Sequence, residues 1–231
     1  MQNSNRWYIC ANNSMNSIII VAGGKGLRMG EAIPKQFLLL KGKPILMHTI
    51  QKFHKWEPLC EIIIVLPQTQ HNYWLSLCQE YKFNIPVKIT AGGQTRFHSV
   101  KNGLNLATGD IIGIHDGVRP LVSNSTISLC FNTAKKEGNA IPCIPVNDSL
   151  RINKNNNNEM VDRDLYFRIQ TPQVFQSKII KSAFQQKYSN QFTDDASVIE
   201  SDGHRVNLVE GNEENIKITR KVDLKIAALF V

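Results

Sequence analysis

The sequence has no apolar run long enough to cross a membrane, because its longest hydrophobic stretches are only as long as a β-strand. A transmembrane helix needs about 20 consecutive apolar residues. The first 15 residues are polar and rich in asparagine, and they lack the charged-then-apolar order of a secretory signal. We therefore expect no membrane partner, and we interpret residues 1–15 as a disordered tail ahead of a single domain over residues 16–231.

Cysteines are few, and their pattern does not predict disulfides. The chain has five cysteines, an odd number, and no two of them form a C-x-x-C pair. Small extracellular domains normally carry an even number of cysteines at disulfide spacing, whereas cytosolic thiols stay reduced. The cysteines are therefore interpreted as reduced thiols, and they predict a cytoplasmic protein.

Positive charge is in excess, but it is not concentrated in basic stripes. The chain has 27 Lys and Arg against 19 Asp and Glu, a formal net charge of +8. The basic residues are scattered singly or in pairs such as Lys135-Lys136, without the interleaved aromatics of a nucleic-acid surface. Because the excess suits a site for small polyanions, we predict no nucleic-acid partner. A non-catalytic nucleotide- or nucleic-acid-binding module remains an alternative.

Two familiar nucleotide-binding motifs are also missing. The dinucleotide fold uses G-x-G-x-x-G, but the spacing from Gly24 and Gly26 to Gly30 is one residue too long. The Walker motif needs Gly-Lys-Ser/Thr at a helix start, and Gly26 is followed by Leu27-Arg28. The glycine loop of this chain therefore belongs to neither class.

Residues 20–37 read IVAGGKGLRMGEAIPKQF and carry the strongest functional signal. A β-branched run at 17–21 predicts a buried strand, which leads directly into Ala22 and a cluster of glycines where the backbone can approach a ligand closely. Successive N–H groups of such a turn bind anions, and Arg28 and Lys35 add two cations. The segment predicts a polyphosphate site, with a strand–helix corner carrying exposed cations as the alternative.

Strand-like runs alternate with helical patterns at residues 17–21, 61–66, 86–90, 110–114 and 140–146. This alternation predicts an α/β fold, a Rossmann-like and mostly parallel sheet flanked by helices. Ligands of such sheets bind at the carboxyl ends of the strands. The glycine loop, Gly92-Gly93 and His115-Asp116 each follow a strand-like run, so we expect them to converge on one cleft.

Residues 147–166 interrupt this alternation. Two short extended pieces, 149–152 and 159–161, flank a polar turn rich in asparagine. The pattern predicts a β-hairpin inserted as an arm. Because an isolated hairpin is only marginally stable in water, we expect the arm to pack on another subunit.

The glycine loop followed by Pro34-Lys35-Gln36-Phe37 is similar to the signature of nucleotidyltransferases that activate sugar and polyol phosphates. Between Ile18 and about Ala228, seven more segments occur in the order of one such family: 92–100, 115–120, 145–149, 161–163, 170–175, 193–196 and 215–219. Together they resemble the 2-C-methyl-D-erythritol 4-phosphate cytidylyltransferases of the non-mevalonate isoprenoid pathway.

The resemblance implies an enzyme that transfers CMP from CTP to the polyol phosphate and releases pyrophosphate. A phosphate monoester is already an anionic nucleophile, so the site needs cations and alignment rather than a general base. The resemblance also implies Mg²⁺ held mainly by the CTP phosphates, and a homodimer formed through the arm. A ribitol- or ribulose-5-phosphate cytidylyltransferase is the nearest alternative, although residues 99–104 and 193–196 look more like the methylerythritol branch.

Roles for individual residues follow from the same resemblance. The implied catalytic cations are Arg28, Lys35 and Lys217. The implied nucleotide-binding residues are Ala22, Gly23, Gly24, Gly26, Gly92, Gly93, Ser99, Asp116 and Gly117, with Asp116 also as the metal ligand. The implied substrate-binding residues are Ser149, Arg163, Thr171 and Thr193, of which Ser149 and Arg163 reach the partner subunit's site in relatives. Residues 193–195 also fit a helix N-cap. Gln94 stands where some relatives have an acid, so its contact with the base stays open.

Overall fold

The computed structural model describes residues 15–23, 33–154 and 157–231. Its strands are β1 (Asn16–Val21), β2 (Leu39–Leu40), β3 (Lys43–Pro44), β4 (Glu61–Leu66), β5 (Lys88–Ala91), β6 (Ile111–Asp116), β7 (Asn139–Pro145), β8 (Arg151–Lys154), β9 (Asn157–Met160), β10 (Phe167–Ile169), β11 (Gln173–Gln176) and β12 (Leu208–Glu210). Its α-helices are α1 (Ile45–Trp56), α2 (His71–Glu80), α3 (Arg96–Leu106), α4 (Asn124–Glu137), α5 (Ser177–Ala183), α6 (Asp195–Ser201) and α7 (Lys221–Ala227). The predicted tail lies outside the described residues except for Met15, whose carbonyl accepts a hydrogen bond from the Asp110 N–H at 2.8 Å.

Eight of these strands form one sheet in the order β10-β7-β11-β6-β1-β4-β5, with β12 paired to β7. β1 pairs in parallel with β4 and β6, and β4 pairs in parallel with β5. β11 is antiparallel to β6 and β7, and β10 is antiparallel to β7. The predicted mostly parallel α/β sheet is confirmed, and its antiparallel strands lie on one side.

β1 is an interior strand of the sheet, paired with β4 and β6, and its β-branched side chains are buried on both faces. Ile18 and Ile20 pack on one face against α1, α2 and α4, whereas Ile19 packs on the other against α3, α5 and α6. The alternation follows the two-residue period of a strand. Gly103 lets α3 approach β1 closely, since a Cβ there would lie 2.6 Å from Cγ2 of Ile19. No helix of the described chain is both long and apolar enough to span a membrane.

The carboxyl ends of β1, β4, β5 and β6 meet at one edge of the sheet. β6 is longer than predicted, because its pairing with β1 continues as far as Val21 and Asp116. Asp116 is therefore the last residue of a strand rather than part of the following loop. Side-chain caps begin three of these helices: Thr95 caps α3, Ser123 caps α4, and Asp194 forms a capping box at α6.

The predicted hairpin arm is present as β8 and β9, paired from Arg151 opposite Met160 to Lys154 opposite Asn157. Its strands begin and end within two residues of the predicted pieces. Large apolar side chains are exposed along the arm and the neighbouring edge strand β10: Met160 is 77% exposed, Leu165 76% and Phe167 49%. Large exposed apolar side chains in one part of a chain are typical of a surface that meets another protein.

Candidate active site

A cavity of about 600 Å³ opens at the carboxyl edge of the parallel strands. Its wall is formed by the ends of β1 and β6, by residues that follow β1, β4 and β5, and by the first turn of α3. Lys217, which precedes α7, also lines the cavity. The cavity therefore lies where a parallel α/β sheet places its ligands.

Predicted site residues that are distant in sequence meet at this cavity. It is lined by Ala22, Gly23, Lys35, Gly92, Gly93, Ser99, Asp116 and Lys217. The predicted residues Gly24, Gly26 and Arg28 lie outside the described part of the chain. Five of the predicted site residues are described but do not line the cavity: Gly117, Ser149, Arg163, Thr171 and Thr193.

Asp116 provides a carboxylate to the cavity. Its Oδ2 accepts hydrogen bonds from Nζ of Lys217 at 3.0 Å and from Nε of Arg119 at 3.2 Å. Burial opposes ionisation, but the positive charges of Lys217, Arg96 and Arg119 outweigh it and hold the pKa of Asp116 well below its usual range. Asp116 is therefore an ionised anchor that holds the Lys217 ammonium beside the cavity.

Arg119 also fixes the turn that carries Lys217. Its Nη1 donates to the backbone carbonyl of Asn215 at 2.6 Å. The side-chain amide of Asn215 in turn donates to Oε1 of Gln170 at 3.2 Å and to the carbonyl of Thr171 at 2.9 Å. The backbone two residues before Lys217 is therefore tied down from both sides.

His115 lies behind Asp116 and is completely buried. Desolvation lowers the pKa of His115 to about 4, so the imidazole is neutral near pH 7. Its Nε2 donates to the Arg119 carbonyl at 3.0 Å, and its Nδ1 accepts from the Thr171 hydroxyl at 3.0 Å. The same hydroxyl accepts from the Asp116 N–H at 3.1 Å. Thr171, predicted to bind the polyol phosphate, thus has its hydroxyl engaged in supporting Asp116.

The loop after β5 is held by a serine and by a close backbone contact. The Gly93 N–H donates to Oγ of Ser99 at 3.0 Å, and that hydroxyl donates to the Thr95 carbonyl at 3.0 Å. Gly93 has no room for a side chain, because a Cβ would lie 2.4 Å from the His98 Cβ. The predicted base-binding loop is therefore preorganised by one of its own predicted contact residues.

Lys35 opens a short 3₁₀ turn, Lys35–Phe37. Gln36, the next residue, is completely buried, and its Nε2 donates to Oε1 of Gln70 at 2.7 Å. Phe37 is buried as well, so the turn that presents Lys35 is anchored in the core. Sequence reasoning missed the pair formed by Gln36 and Gln70, and the one available signal was the position of Gln36 beside Lys35.

Arg96 is a cavity residue that sequence reasoning did not single out. It is the first residue of α3, and its Nη1 and Nη2 donate to the two carboxylate oxygens of Asp195 at 2.7 and 2.6 Å. Its place three residues after Gly93, in a segment matched to the family, was the signal that would have found it.

Three cations and one carboxylate are the charged side chains in the described lining of the cavity: Lys35, Arg96, Lys217 and Asp116. A concave site with an excess of positive charge attracts anionic ligands and concentrates them. The arrangement therefore suits a polyphosphate and stabilises negative charge that develops on it.

The sequence profile of the family named 2-C-methyl-D-erythritol 4-phosphate cytidylyltransferase matches residues 16–231. The chain belongs to this family. Two relatives with that name come from Phocaeicola vulgatus and Bacteroides fragilis. The first is 50% identical over 215 residues, which are 93% of this chain and 98% of the relative. The second is 51% identical over 214 residues, which are 92% of this chain and 98% of the relative.

Solved structures with names of this family share the fold. The 4-diphosphocytidyl-2C-methyl-D-erythritol synthase of Anaerococcus prevotii matches with a TM-score of 0.80 and 26% identity, over 94% of this chain and 96% of that one. The 2-C-methyl-D-erythritol 4-phosphate cytidylyltransferase of Francisella tularensis matches with a TM-score of 0.76 and 31% identity, over 94% and 100%. The predicted family, nucleotidyltransferase fold and cytidylyltransferase activity are confirmed.

Membership of the cytidylyltransferase family is consistent with a divalent cation. Within the described residues, no group of three or more His, Cys, Asp or Glu side chains is placed to hold a metal ion. The ionised carboxylate of Asp116 lines the cavity. One carboxylate fits Mg²⁺, which is commonly held by one or two carboxylates together with substrate phosphates.

Besides Thr171, which is buried behind Asp116, the predicted cytidylyltransferase residues away from the cavity fall into two groups. Gly117 is a packing residue, because its N–H donates to the Val21 carbonyl at 2.9 Å and a Cβ would lie 2.9 Å from that of Ala22. The exposed residues are Ser149, Arg163 and Thr193. Arg163 donates to the Asn147 carbonyl and lies on the arm side of the sheet.

Proposed function

We propose that the cavity is the place where CMP is transferred from CTP to 2-C-methyl-D-erythritol 4-phosphate, giving CDP-methylerythritol and pyrophosphate. Family membership provides the reaction. The observation that carries the location is the meeting of Lys35, Arg96 and Lys217 around one cavity at the carboxyl edge of the sheet. The reaction joins two polyanions, and such a site reduces their mutual repulsion.

The nucleophile is the phosphate oxygen of the polyol phosphate, which attacks the α-phosphorus of CTP as pyrophosphate leaves. This oxygen is already anionic near neutral pH, so no side chain has to remove a proton. His115 is buried behind Asp116 and neutral, which supports a structural rather than a catalytic role for it. The protein contributes alignment and electrostatic stabilisation.

Lys217 and Lys35 are proposed to stabilise the charge on the α-phosphoryl group during transfer. The support for Lys217 is its ion pair with Asp116 at 3.0 Å, which keeps the ammonium at the cavity without burying it completely. The support for Lys35 is its presentation by the anchored turn Lys35–Phe37. Arg28 lies outside the described residues, and its sequence context supports it as a third catalytic cation beside Lys35 and Lys217.

We propose Mg²⁺ as the divalent cation, with Asp116 as the protein ligand and the CTP phosphates as the main ones. When bound, the ion neutralises part of the triphosphate charge. Asp116 is suited to this because it stays ionised despite burial.

The nucleotide is proposed to lie along Ala22 and Gly23 with its base at the loop of Gly92 and Gly93. The support is that these residues line the cavity, and that Ser99 holds the loop in one conformation. Gly24 and Gly26 belong to the same proposal from sequence alone. Gly117, predicted as a contact residue, is proposed to act by packing the strand ends together.

A homodimer formed through the arm is proposed to complete the second substrate's site. The support is that Met160, Leu165 and Phe167 are exposed, and that no described residue of the arm lines the cavity of its own chain. In such a dimer Ser149 and Arg163 serve the partner's site, and Arg offers phosphate a planar pair of donors. Thr193 is proposed to act from the chain's own loop before α6, and Thr171 through its support of Asp116.

A cytoplasmic location is also proposed. Its support is that Cys60, Cys78, Cys130 and Cys143 are unpaired in the described chain. Burial raises the pKa of the Cys130 thiol to about 12, which makes it an unreactive packing residue.

Pyrophosphate release from CTP, measured across a panel of polyol phosphates, tests the proposal. We expect release with 2-C-methyl-D-erythritol 4-phosphate and little with ribitol 5-phosphate or ribulose 5-phosphate. A preference for ribitol 5-phosphate would overturn the substrate assignment. No release with any nucleotide, together with salt-sensitive retention on DNA, would favour a binding module instead.

A further inference from the structure

Arg96 and Asp195 join two helix starts that are 99 residues apart in the chain. Arg96 is the first residue of α3 and Asp195 the first residue of α6. Both guanidinium Nη atoms donate to the carboxylate, in the two-pronged geometry that gives an Arg–carboxylate pair its directional strength. The side chain of Arg96 is 30% exposed at the cavity, whereas that of Asp195 has no exposed surface.

The α6 end of this pair has a firm support. Oε1 of Gln173 accepts hydrogen bonds from the N–H groups of Asp195 at 3.0 Å and Ala196 at 2.9 Å. Nε2 of the same glutamine donates to Oδ2 of Asp194 at 2.8 Å. Asp195 is therefore fixed to β11, and Thr193, proposed to contact the polyol phosphate, lies two residues before it.

The α3 end is continuous with the proposed base-binding loop. Thr95, which precedes Arg96, caps the helix by accepting from the His98 N–H, and its carbonyl accepts from Ser99. Ser99 in turn holds Gly93. A change in the position of Arg96 would therefore also displace the proposed base-binding loop.

The charge of Arg96 is largely engaged within the protein. Burial opposes its ionisation, but the carboxylate of Asp195 outweighs this and raises the pKa of Arg96 above its usual range. Both of its terminal nitrogens donate to Asp195. This geometry fits a residue that positions the site better than one that binds phosphate directly.

We propose that Arg96 is a positioning residue for the cytidylyl transfer. Acting through Asp195, it sets the separation between the base-binding loop at 92–95 and the segment 193–195, so that the two substrates are aligned. The inference rests on the proposed function of the cavity. Because misplacement by about 1 Å can cost on the order of 10²-fold in rate, one ion pair between these segments is enough to control turnover.

The test compares Arg96→Lys, Asp195→Asn and the double variant with the wild-type enzyme. Lysine keeps the charge but not the two-pronged contact, and asparagine keeps the shape but not the charge. We expect each single variant to lower kcat by about 10- to 10²-fold, with both KM values within about threefold of wild type. The double variant should be no slower than the slower single one, because both changes remove the same contact.

Lys88→Ala is the matched control. It removes the ion pair between Lys88 and Glu61, which joins β5 to β4 away from the cavity, and it should leave kcat unchanged. All kinetics are measured below the melting transition seen by circular dichroism. If Asp195→Asn does not fold, the split between kcat and KM in Arg96→Lys decides the matter.

Wild-type kcat in folded Arg96→Lys would overturn the inference and leave a merely structural pair. Loss of kcat in Arg96→Lys but not in folded Asp195→Asn would also overturn it, since Arg96 would then act on substrate directly. A kcat loss in the double variant equal to the product of the two single losses would also overturn the inference, because the two residues would then act independently. Failure of the proposed function is distinguishable, because the wild-type enzyme itself would then make no CDP-methylerythritol.

Discussion

Lys217 and Asp116 form a 3.0 Å ion pair at the rim of the cavity, with the carboxylate 10% and the lysine side chain 42% exposed. The asymmetry matters, because the buried carboxylate is fixed and the more exposed lysine is accessible at the cavity. A lysine tethered in this way keeps its charge in place without the entropic loss of ordering a free side chain on binding. The same carboxylate oxygen also accepts from Arg119, so the anchor does not depend on one contact.

Removing either proposed catalytic lysine should reduce turnover with little effect on the fold. We expect Lys35→Ala and Lys217→Ala each to lower kcat by about 10²-fold, comparable to the loss of one dedicated electrostatic stabiliser. Lys136→Ala, at an exposed position near the end of α4, is the matched control and should keep wild-type kcat. Initial rates of pyrophosphate release at saturating CTP make the measurement. Near-normal kcat in Lys217→Ala would show that the chemistry is wrongly placed.

His115 should make the protein less stable in mild acid. The unfolded chain binds a proton at the ordinary histidine pKa of 6.5, whereas folded His115 stays neutral down to about pH 4 because it is buried. The resulting contribution of His115 to the free energy of unfolding is complete above pH 6.5. It is lost as the pH falls from 6.5 to about 4, and it amounts to about 3 kcal/mol. Urea unfolding at several pH values measures the slope.

The pH dependence of stability attributed to His115 needs a control, because burial also lowers the pKa of His48. His48→Asn is therefore introduced into both proteins that are compared, with and without His115→Asn. Between pH 6.5 and 4, the protein that keeps His115 should lose more stability than the one that lacks it. Parallel slopes would contradict the prediction.

Two inactive variants should restore activity to one another if the arm serves the partner's site. An Arg163→Ala subunit keeps its own nucleotide site, and a Lys35→Ala subunit keeps its arm. In a mixed dimer both lesions fall on one site and the other site is wild type, as the two-fold geometry requires. Co-refolding the two variants should therefore approach one working site per mixed dimer.

Mass measurement of the mixed dimers and an arm variant, Arg151→Ala, complete this experiment. Arg151 is exposed on β8 and its side chain contacts Asn158 within the arm, so its loss should leave each site active. Confirmed mixed dimers without recovered activity would place Arg163 in its own chain's site. The cytidylyltransferase activity would not be affected by that result.

Deleting residues 1–14 should leave activity unchanged and shift the melting temperature little. The family profile begins at residue 16, and β1 begins at Asn16. The single domain over residues 16–231 thereby stays a prediction that the truncated protein tests. A large loss of stability would mean that Trp7, Tyr8 and Ile9 pack on the body of the protein.

Local patterns were sufficient to predict the sheet and the edge of it at which the cavity opens. The short β-branched runs of β1 and β4 favoured buried strands, and the rule for parallel sheets then placed Gly92-Gly93 and Asp116 together. The extra length of β6 was not predictable, because it depends on pairing with Val21 rather than on its own sequence.

Contacts between distant side chains were beyond this reasoning. The pairs of Arg96 with Asp195 and of Gln36 with Gln70 are separated by 99 and 34 residues, and no periodicity relates them. Thr171 illustrates the same limit, since its motif marks it as important but only three-dimensional geometry directs its hydroxyl to Asp116 and His115.

The contact between Gly103 and Ile19 has a consequence for the architecture of the enzyme as a whole. α3 packs on the sheet at Gly103, near its C-terminus, and its first residue, Arg96, lines the cavity. A methyl group at position 103 would displace α3 from the sheet, since its carbon would lie 2.6 Å from Cγ2 of Ile19. Because α3 also carries Arg96, such a displacement would move part of the cavity wall, whose position therefore depends on a core position without a side chain, on the face of the sheet opposite α1.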